Sequence, residues 1–316
     1  MDVIVLAGGF GTRLRPWTES IPKPLLPILD KSMIEHVLDV LPESQVNRVL
    51  IAAGYGVEQI REHFDGIPLP YEVIIVEEKE PLGTGGAIAN CREHLSGGTF
   101  CVINGDLITS LRVEEMLDFH TSNGGIATIS LWEVEDPSRF GVADYIDETG
   151  KIMRFQEKPP IEDAFSNLIN AGTYLLEHDI FDLMPEGAHS IERDVYEKIA
   201  ASGALNGFPF GGMFVDAGTP TSFVEASQAC ISSHRFSSGS VQDDSWLGPD
   251  SHCLGRVSGS SIGPGATVAE GCNVRNSVIL EGAVIEENCL LESCLIGKGA
   301  TISAGTVMSG EIVNHI

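Results

Sequence analysis

The amino-acid sequence predicts an α/β fold with a mixed, mostly parallel sheet, followed by a region of a different kind. Short apolar runs at 3–6, 48–53 and 99–104 alternate with amphipathic helical patterns from residue 1 to about residue 226. Nearly unbroken apolar runs of this length read as strands buried on both faces, as parallel sheets require. Beyond residue 251 an apolar residue recurs about every six positions instead. A chain of 316 residues is long enough for two such regions.

The elements follow in order. After the strand at 3–6, residues 32–41 read as a helix with Met33, Val37, Leu38 and Leu41 on one face. A strand at 48–53, a helix at 57–64, a strand at 71–76 and a helix at 86–95 come next. The strand at 99–104 ends at Gly105-Asp106, and a helix at 113–120 and a strand at 126–132 follow it. This alternation implies right-handed crossovers, with ligands bound beyond the carboxyl ends of the strands. Both the 8–15 loop and Asp106 fall there. From 140 to 215 the pattern suggests hairpins added to the sheet, with short strands at 141–146, 151–157 and 171–176. Residues 190–202 read as a helix capped by Ser190, 211–216 as a strand and 220–231 as a helix. Residues 232–250 are rich in serine, glycine and charge, and read as a linker. The expected organisation is therefore a domain at 1–231, a linker at 232–250 and a repeat domain at 251–316.

Composition narrows the function. Hydrophobic content of 43% and charged content of 20% are those of a globular protein. A net charge of −26 argues against a nucleic-acid partner, whose phosphates would be repelled. Yet three of only nineteen Lys and Arg residues, Arg13, Arg15 and Lys23, lie within eleven positions. A local basic pocket in an acidic chain suits a small anionic ligand. Seven cysteines without a CxxC pair argue against a disulfide framework or a zinc site and fit a reducing cytoplasm. No run of 18 apolar residues is present, so no membrane span is expected.

The chemistry concentrates in Val3–Ile28 of the primary structure, VIVLAGGFGTRLRPWTESIPKPLLPI. Gly8, Gly9 and Gly11 let the backbone turn sharply and bring N–H groups close to a bound group. Arg13, Arg15 and Lys23 add cations, which makes the loop a phosphate holder. The glycine spacing matches neither GxGxxG nor GxxxxGK[ST]. The whole stretch closely resembles the opening motif of the sugar-1-phosphate nucleotidylyltransferases (nucleotide-sugar pyrophosphorylases), and the resemblance continues along most of the chain. It implies a Rossmann-like nucleotidyltransferase domain. It also implies transfer of a nucleotidyl group from a nucleoside triphosphate to a sugar 1-phosphate, giving NDP-sugar and pyrophosphate.

The resemblance assigns roles residue by residue. Leu6, Ala7, Gly8, Gly9, Gly11 and Thr12 form the nucleotide loop. Arg13 clamps the triphosphate, where its planar fork serves better than lysine, and Lys23 meets the α-phosphate and leaving group. Asp106 and Asp216 match the two metal carboxylates and imply Mg2+, which favours one or two carboxylates plus phosphate oxygens and water. Taken from spacing alone, Asp106 is as readily a turn aspartate. Phe155-Gln156-Glu157-Lys158-Pro159 looks like the family's EKP motif, with Lys158 on the sugar's phosphate and Glu157 on its hydroxyls. Without that context, Glu157 and Lys158 are an ordinary exposed pair. Gly141 and Asn170 match further sugar-binding motifs. Gly83, Thr84 and Gly85, in PLGTGGA, match the base-recognition loop, whose amides at a helix N-terminus can address a base or phosphate. PLGTGGA and FQEKP are nearest the mannose-1-phosphate guanylyltransferases, which favours GTP and mannose 1-phosphate. The alternatives are a glucose-1-phosphate thymidylyl- or uridylyltransferase and a non-catalytic regulatory subunit that binds nucleotide-sugar. The presence of Arg13, Lys23, Asp106, Lys158 and Asp216 together favours catalysis.

In the last region Ile262, Val268 and Val274 recur every six residues; the series continues at Ile279 and Ile285, then at Ile296 and Ile302. Glycine, alanine and asparagine fill the corners. This resembles the hexapeptide repeat of left-handed parallel β-helices. About eight visible repeats give fewer than three coils. Cys272, Cys289 and Cys294 are expected as packed thiols, and the region is expected to mediate homo-oligomer formation.

Overall fold

Asp2–Leu6 is a strand buried on both faces, as its successive apolar side chains demand. In the computed structural model, which describes residues 1–314, it lies inside a nine-stranded sheet. The spatial order is Glu72–Glu77, Arg48–Ala53, Asp2–Leu6, Phe100–Asn104, Leu168–Leu176, Ala127–Glu133, Leu205–Pro209, Lys151–Glu157 and Gly141–Ile146. The first four are mutually parallel. Leu168–Leu176 runs antiparallel to both its neighbours, which makes the sheet mixed. The expected hairpin is present between Gly141–Ile146 and Lys151–Glu157. Ile4, Leu50, Val102, Ile129, Tyr174 and Leu176 belong to the core against the sheet. Each such side chain contributes roughly 1.5–3 kcal/mol by leaving water.

Helices open where their local chemistry directs. Gly83–Asn90 begins three residues before the expected 86, so Gly83, Thr84 and Gly85 form its first turn rather than a loop ahead of it. Residues 190–202 are not one α-helix: Glu192–Tyr196 is a π-helical turn followed by Glu197–Ala200. Ser190 still receives the Arg193 amide at 3.3 Å. Pro220–Ser232 has a capping box between Thr219 and Ser222, with proline at its first position.

Contact clustering divides the chain into two compact units that are discontinuous in sequence. One comprises Met1–Gly9, Asp39–Gly105 and Thr109–Phe214 and holds the nine-stranded sheet; the other comprises Phe10–Leu38, Asp106–Ile108 and Val215–Ile316. Within the second lies the repeat region, a parallel β-helix of three sheets. Leu247, Ile262, Ile279, Ile296 and Val313 are successive partners on one sheet. Cys253, Val268, Ile285 and Ile302 stack on the second. Val257, Val274, Leu291 and Met308 stack on the third. The stack has four tiers or more, against the fewer than three coils expected. The extra tiers were hidden because Leu247, Cys253 and Met308 break the isoleucine–valine pattern while packing against the same core. A coil spans the interval from Ile262 to Ile279, so two six-residue steps are followed by one of five.

The stretch expected as a linker contains structure. Ser240–Gln242 and Ser245–Leu247 form an antiparallel hairpin, and the second strand pairs onto Ser261–Ile262. Its turn is made by Asp243 at φ 55° with Asp244, without the glycine that usually signals a two-residue turn. Cys272, Cys289 and Cys294 are buried and free, as packed thiols. Of the region expected at 251–316, residues 315 and 316 lie outside the described residues. Ile285 is fully buried in this core, so Ile285→Ala is expected to destabilise the β-helix by about 2–5 kcal/mol. Denaturant unfolding followed by circular dichroism measures it, and a change below 1 kcal/mol would contradict the stacking.

Candidate active site

The segment after the first strand leaves extended structure through three short turns, Thr12–Leu14, Trp17–Glu19 and Lys23–Leu25. Gly11 opens the first with φ 60°, a conformation that favours glycine. These turns carry Arg13 outward and bury Lys23, which is 9% exposed. Far along the chain, the Ala217 amide donates to the Asp106 carbonyl at 2.9 Å, tying the two acidic segments together.

The side chains then meet. The Lys23 ammonium forms an ion pair with Asp106 Oδ2. Around Gly218, a β-carbon would lie 2.8 Å from Arg13 Nη2, 2.8 Å from Asp216 Oδ1 and 3.3 Å from Lys23 Nζ. Arg13, Lys23, Asp106 and Asp216 therefore form one cluster, and glycine at 218 leaves it room. Burial raises the Asp216 carboxyl above the ordinary carboxylate range, and the nearby Asp106 adds to this; Lys23, Arg13 and the Gly218 amide oppose it. Asp216 Oδ1 is buried and accepts no hydrogen bond. A buried, unsatisfied carboxylate oxygen beside a second carboxylate is chemistry suited to a hard cation. Among the described residues no group of three or more His, Cys, Asp or Glu could hold a metal. An ion here would rest on these two carboxylates together with substrate oxygens. Arg15 is exposed.

The remaining predicted residues lie in the sheet-bearing unit. Glu157 lies over Gly141, where a β-carbon would be 2.8 Å from Glu157 Oε2. Its side chain is only 10% exposed and pairs with Lys158 Nζ at 2.9 Å, so the acid of this pair is buried although the lysine is exposed. Burial raises the Glu157 carboxyl, against the pull of Lys158. Asn170 lies at an irregularity in the ladder with Ala127–Glu133. Its Nδ2 donates to Tyr174 Oη at 3.0 Å, and its Oδ1 accepts from the Gly172 amide at 2.9 Å.

The helix at Gly83–Asn90 spends its first turn on the protein itself. The Gly85 and Gly86 amides donate to the His189 carbonyl at 3.0 and 3.3 Å. A β-carbon on Gly83 would be 2.5 Å from that same carbonyl oxygen. Thr84 Oγ1 donates to Glu192 Oε2 at 2.6 Å and accepts from the Ile191 amide at 3.1 Å. The Gly85 amide expected to address a base or phosphate is therefore already engaged. Close packing against His189 is by itself a reason for glycine at 83 and 85.

Two buried acids escaped sequence reasoning. Glu192 joins Thr84, Ser190 and, at 3.4 Å, Tyr174. Glu78 is 8% exposed, and its Oε1 stands 2.7 Å from where a β-carbon on Gly8 would be. Burial raises its carboxyl, while the Leu82 amide steadies the charged form. It occupies the first place after the strand Glu72–Glu77 in a run of charged residues, where nothing distinguishes it from a solvated neighbour.

Residues 2–233 match the nucleotidyl transferase family, and residues 226–312 match the GlmU-like C-terminal hexapeptide family. The chain belongs to the nucleotidyl transferase family. It is similar to mannose-1-phosphate guanylyltransferase 1 of Arabidopsis thaliana, 36% identical over 294 residues, with 89% of this chain and 80% of that protein covered. It is 34% identical to the mannose-1-phosphate guanylyltransferase of Mycobacterium tuberculosis, over the same shares of the two chains. Among solved structures it resembles HddC from Yersinia pseudotuberculosis complexed with GMP-PN, with TM-score 0.61, 31% identity, and 72% and 98% of the two chains covered. The chain is an enzyme of the sugar-1-phosphate nucleotidylyltransferase type. Among the described residues no helix is long and apolar enough to cross a membrane.

Glu78 gives a stability test. Its folded carboxyl is raised, so its contribution is greatest below the ordinary carboxylate pKa and is lost as pH rises through the raised value. Glu78→Gln keeps an acceptor for the Leu82 amide and removes the buried charge. The variant is expected to melt higher than wild type at pH 7, with the gap closing towards pH 4. Calorimetry across that range checks it; a variant that melts lower at pH 7 would contradict it.

Proposed function

We propose that this protein transfers the guanylyl group of GTP to mannose 1-phosphate, giving GDP-mannose and pyrophosphate. The observation that carries this is the gathering of Arg13, Lys23, Asp106 and Asp216 about Gly218. A sugar-phosphate oxygen attacks the α-phosphorus; the new O–Pα bond forms as the bond to the β-phosphate oxygen breaks, and pyrophosphate leaves. The nucleophile is already mostly ionised, its second pKa being about 6, so no general base is needed. The work is to bring anions together and to stabilise charge on the leaving group. Arg13 holds the triphosphate with its fork, and Lys23 follows the charge moving from the α-phosphate to pyrophosphate. Losing one such preorganised contact removes roughly 3–4 kcal/mol of transition-state stabilisation.

Asp106 and Asp216 are the residues proposed to hold Mg2+, which neutralises phosphate charge when bound. Lys158 is proposed to meet the sugar's phosphate, and Glu157 and Asn170 its hydroxyls. Gly8, Gly9, Gly11 and Thr12 supply the nucleotide loop.

Guanine rests on two supports. The relatives named above carry that activity in their names. Glu78 offers a buried carboxylate against Gly8, with no cation among the influences on it. Guanine presents N1–H and an amino group side by side, two donors for one carboxylate. Uracil and thymine present a single N–H between two carbonyls, which a carboxylate repels. This favours the guanylyl reading over the thymidylyl and uridylyl alternatives, and the intact charge cluster favours catalysis over a regulatory subunit. Seven free cysteines fit a reducing cytoplasm. Leu290 and Val307, partners on one face of the β-helix and 46% and 75% exposed, support self-association there.

Pyrophosphate release across five nucleoside triphosphates and four sugar 1-phosphates tests the proposal. GTP with mannose 1-phosphate should be fastest in wild type, and Asp106→Ala should abolish release. Glu78→Gln should lower kcat/KM for GTP by about 10- to 100-fold, while UTP is unaffected. Fastest turnover of UTP or dTTP by wild type, or an unchanged GTP preference in Glu78→Gln, would contradict it.

A further inference from the structure

Trp17 lies between Arg13 and Lys23 in sequence and is 2% exposed. Its indole N–H donates to the Val313 carbonyl at 2.9 Å. Val313 belongs to the last β-helix strand, Ile312–Val313. The same carbonyl accepts the Gly297 amide at 2.7 Å. A β-carbon on Gly297 would lie 2.8 Å from the Val313 oxygen and 3.0 Å from Trp17 Nε1. Gly297 is thus needed for space, since its φ is not in the left-handed region. The indole edge also packs on Phe223 of the helix Pro220–Ser232, with centroids 5.7 Å apart at 83°.

The contacts continue towards the charge cluster. Thr18, next in the chain, donates its hydroxyl to the Gly11 carbonyl at 2.9 Å. A β-carbon on Gly11 would be 2.8 Å from Thr18 Cγ2 and 3.0 Å from Lys23 Cβ. The Gly11 carbonyl also accepts the Leu14 amide at 2.9 Å, closing the turn that bears Arg13. Gly11, Thr18 and Lys23 therefore pack together behind the two cations, and Trp17 fixes Thr18.

We propose that the last coil of the β-helix is a positioning element for the triphosphate clamp, acting through Trp17, with Gly297 and Val313 holding the indole. This rests on the reading of Arg13 and Lys23 given above. Neither Trp17 nor Gly297 touches substrate. Their effect passes through the backbone between Gly11 and Lys23, where a displacement of about 1 Å is enough to cost up to a hundredfold in rate. The repeat region then contributes to turnover within a single chain, independently of any role in self-association.

The test compares Trp17→Phe, Gly297→Ala and the double variant with wild type in the full chain. Trp17→Phe removes the N–H but leaves the Val313 oxygen bonded to the Gly297 amide. Gly297→Ala drives a methyl group at the indole nitrogen. Each single change should lower kcat about tenfold at a temperature well below melting, with KM for the sugar 1-phosphate unchanged. In the double variant the losses should not multiply, because both changes act on the one contact between the indole and the Val313 carbonyl. Hydrogen exchange of the amides between Gly11 and Leu26 should be faster in each single variant. Unchanged kcat with unchanged exchange would overturn the proposal, as would losses that multiply. A lowered melting point with wild-type kcat and exchange would mark the contact as structural and overturn it too. No pyrophosphate release by wild type would instead overturn the reading of the clamp, and the exchange data would still decide the positioning.

Discussion

Two carboxylates brought together in a buried place repel each other, and burial penalises each charge separately. Asp216 meets both penalties, its own burial and the neighbouring Asp106, and Lys23 and Arg13 offset the cost. The compensation is partial: Asp216 still carries a raised carboxyl and an oxygen without a hydrogen bond. Such residual strain suits a site that completes itself by taking up a cation and a polyphosphate. An ion held by Asp106 would compete with Lys23 for that carboxylate, and the ammonium would then be available to phosphate oxygens. Much of the local backbone serves this arrangement. The bare Gly218, the positive φ of Gly11 and the bond from Ala217 to Asp106 all keep four charged groups within reach of one another.

The sheet was legible because its signal is simple. Four apolar residues at 3–6 and six residues at 48–53 have no reading but a doubly buried strand, and Arg48–Ala53, Gly141–Ile146 and Lys151–Glu157 appear at their expected bounds. The β-helix was legible where isoleucine and valine mark the inward positions. It was undercounted where Cys253 and Met308 fill the same places, because a pattern reader weighs residue type and the coil weighs only volume and polarity. The hairpin at 240–247 was missed for a related reason: an aspartate at φ 55° makes the turn where glycine was looked for.

The charge cluster was legible through motif resemblance, not spacing, since Asp106 and Asp216 are more than a hundred positions apart. What stayed hidden was the burial of acids inside charged runs. Glu78 stands in Glu77-Glu78-Lys79-Glu80 and Glu192 in Glu192-Arg193-Asp194. Sequence gives every member of such a run the same solvated look. The fold singles one out, Glu78 by its approach to Gly8 and Glu192 by the hydroxyls of Thr84 and Ser190. The glycines at 83 and 85 looked like ligand-facing positions, and the fold adds a second demand, close packing against His189.

The central claim is that the two acids and two cations form a single ion-binding and phosphate-binding centre. Anomalous diffraction from crystals grown with Mn2+ and GTP tests it most directly. The account predicts one anomalous peak bonded to Asp106 and Asp216 at once, with the Lys23 ammonium moved off Asp106 towards the triphosphate. A peak at some other set of side chains, with Lys23 still paired to Asp106, would contradict it.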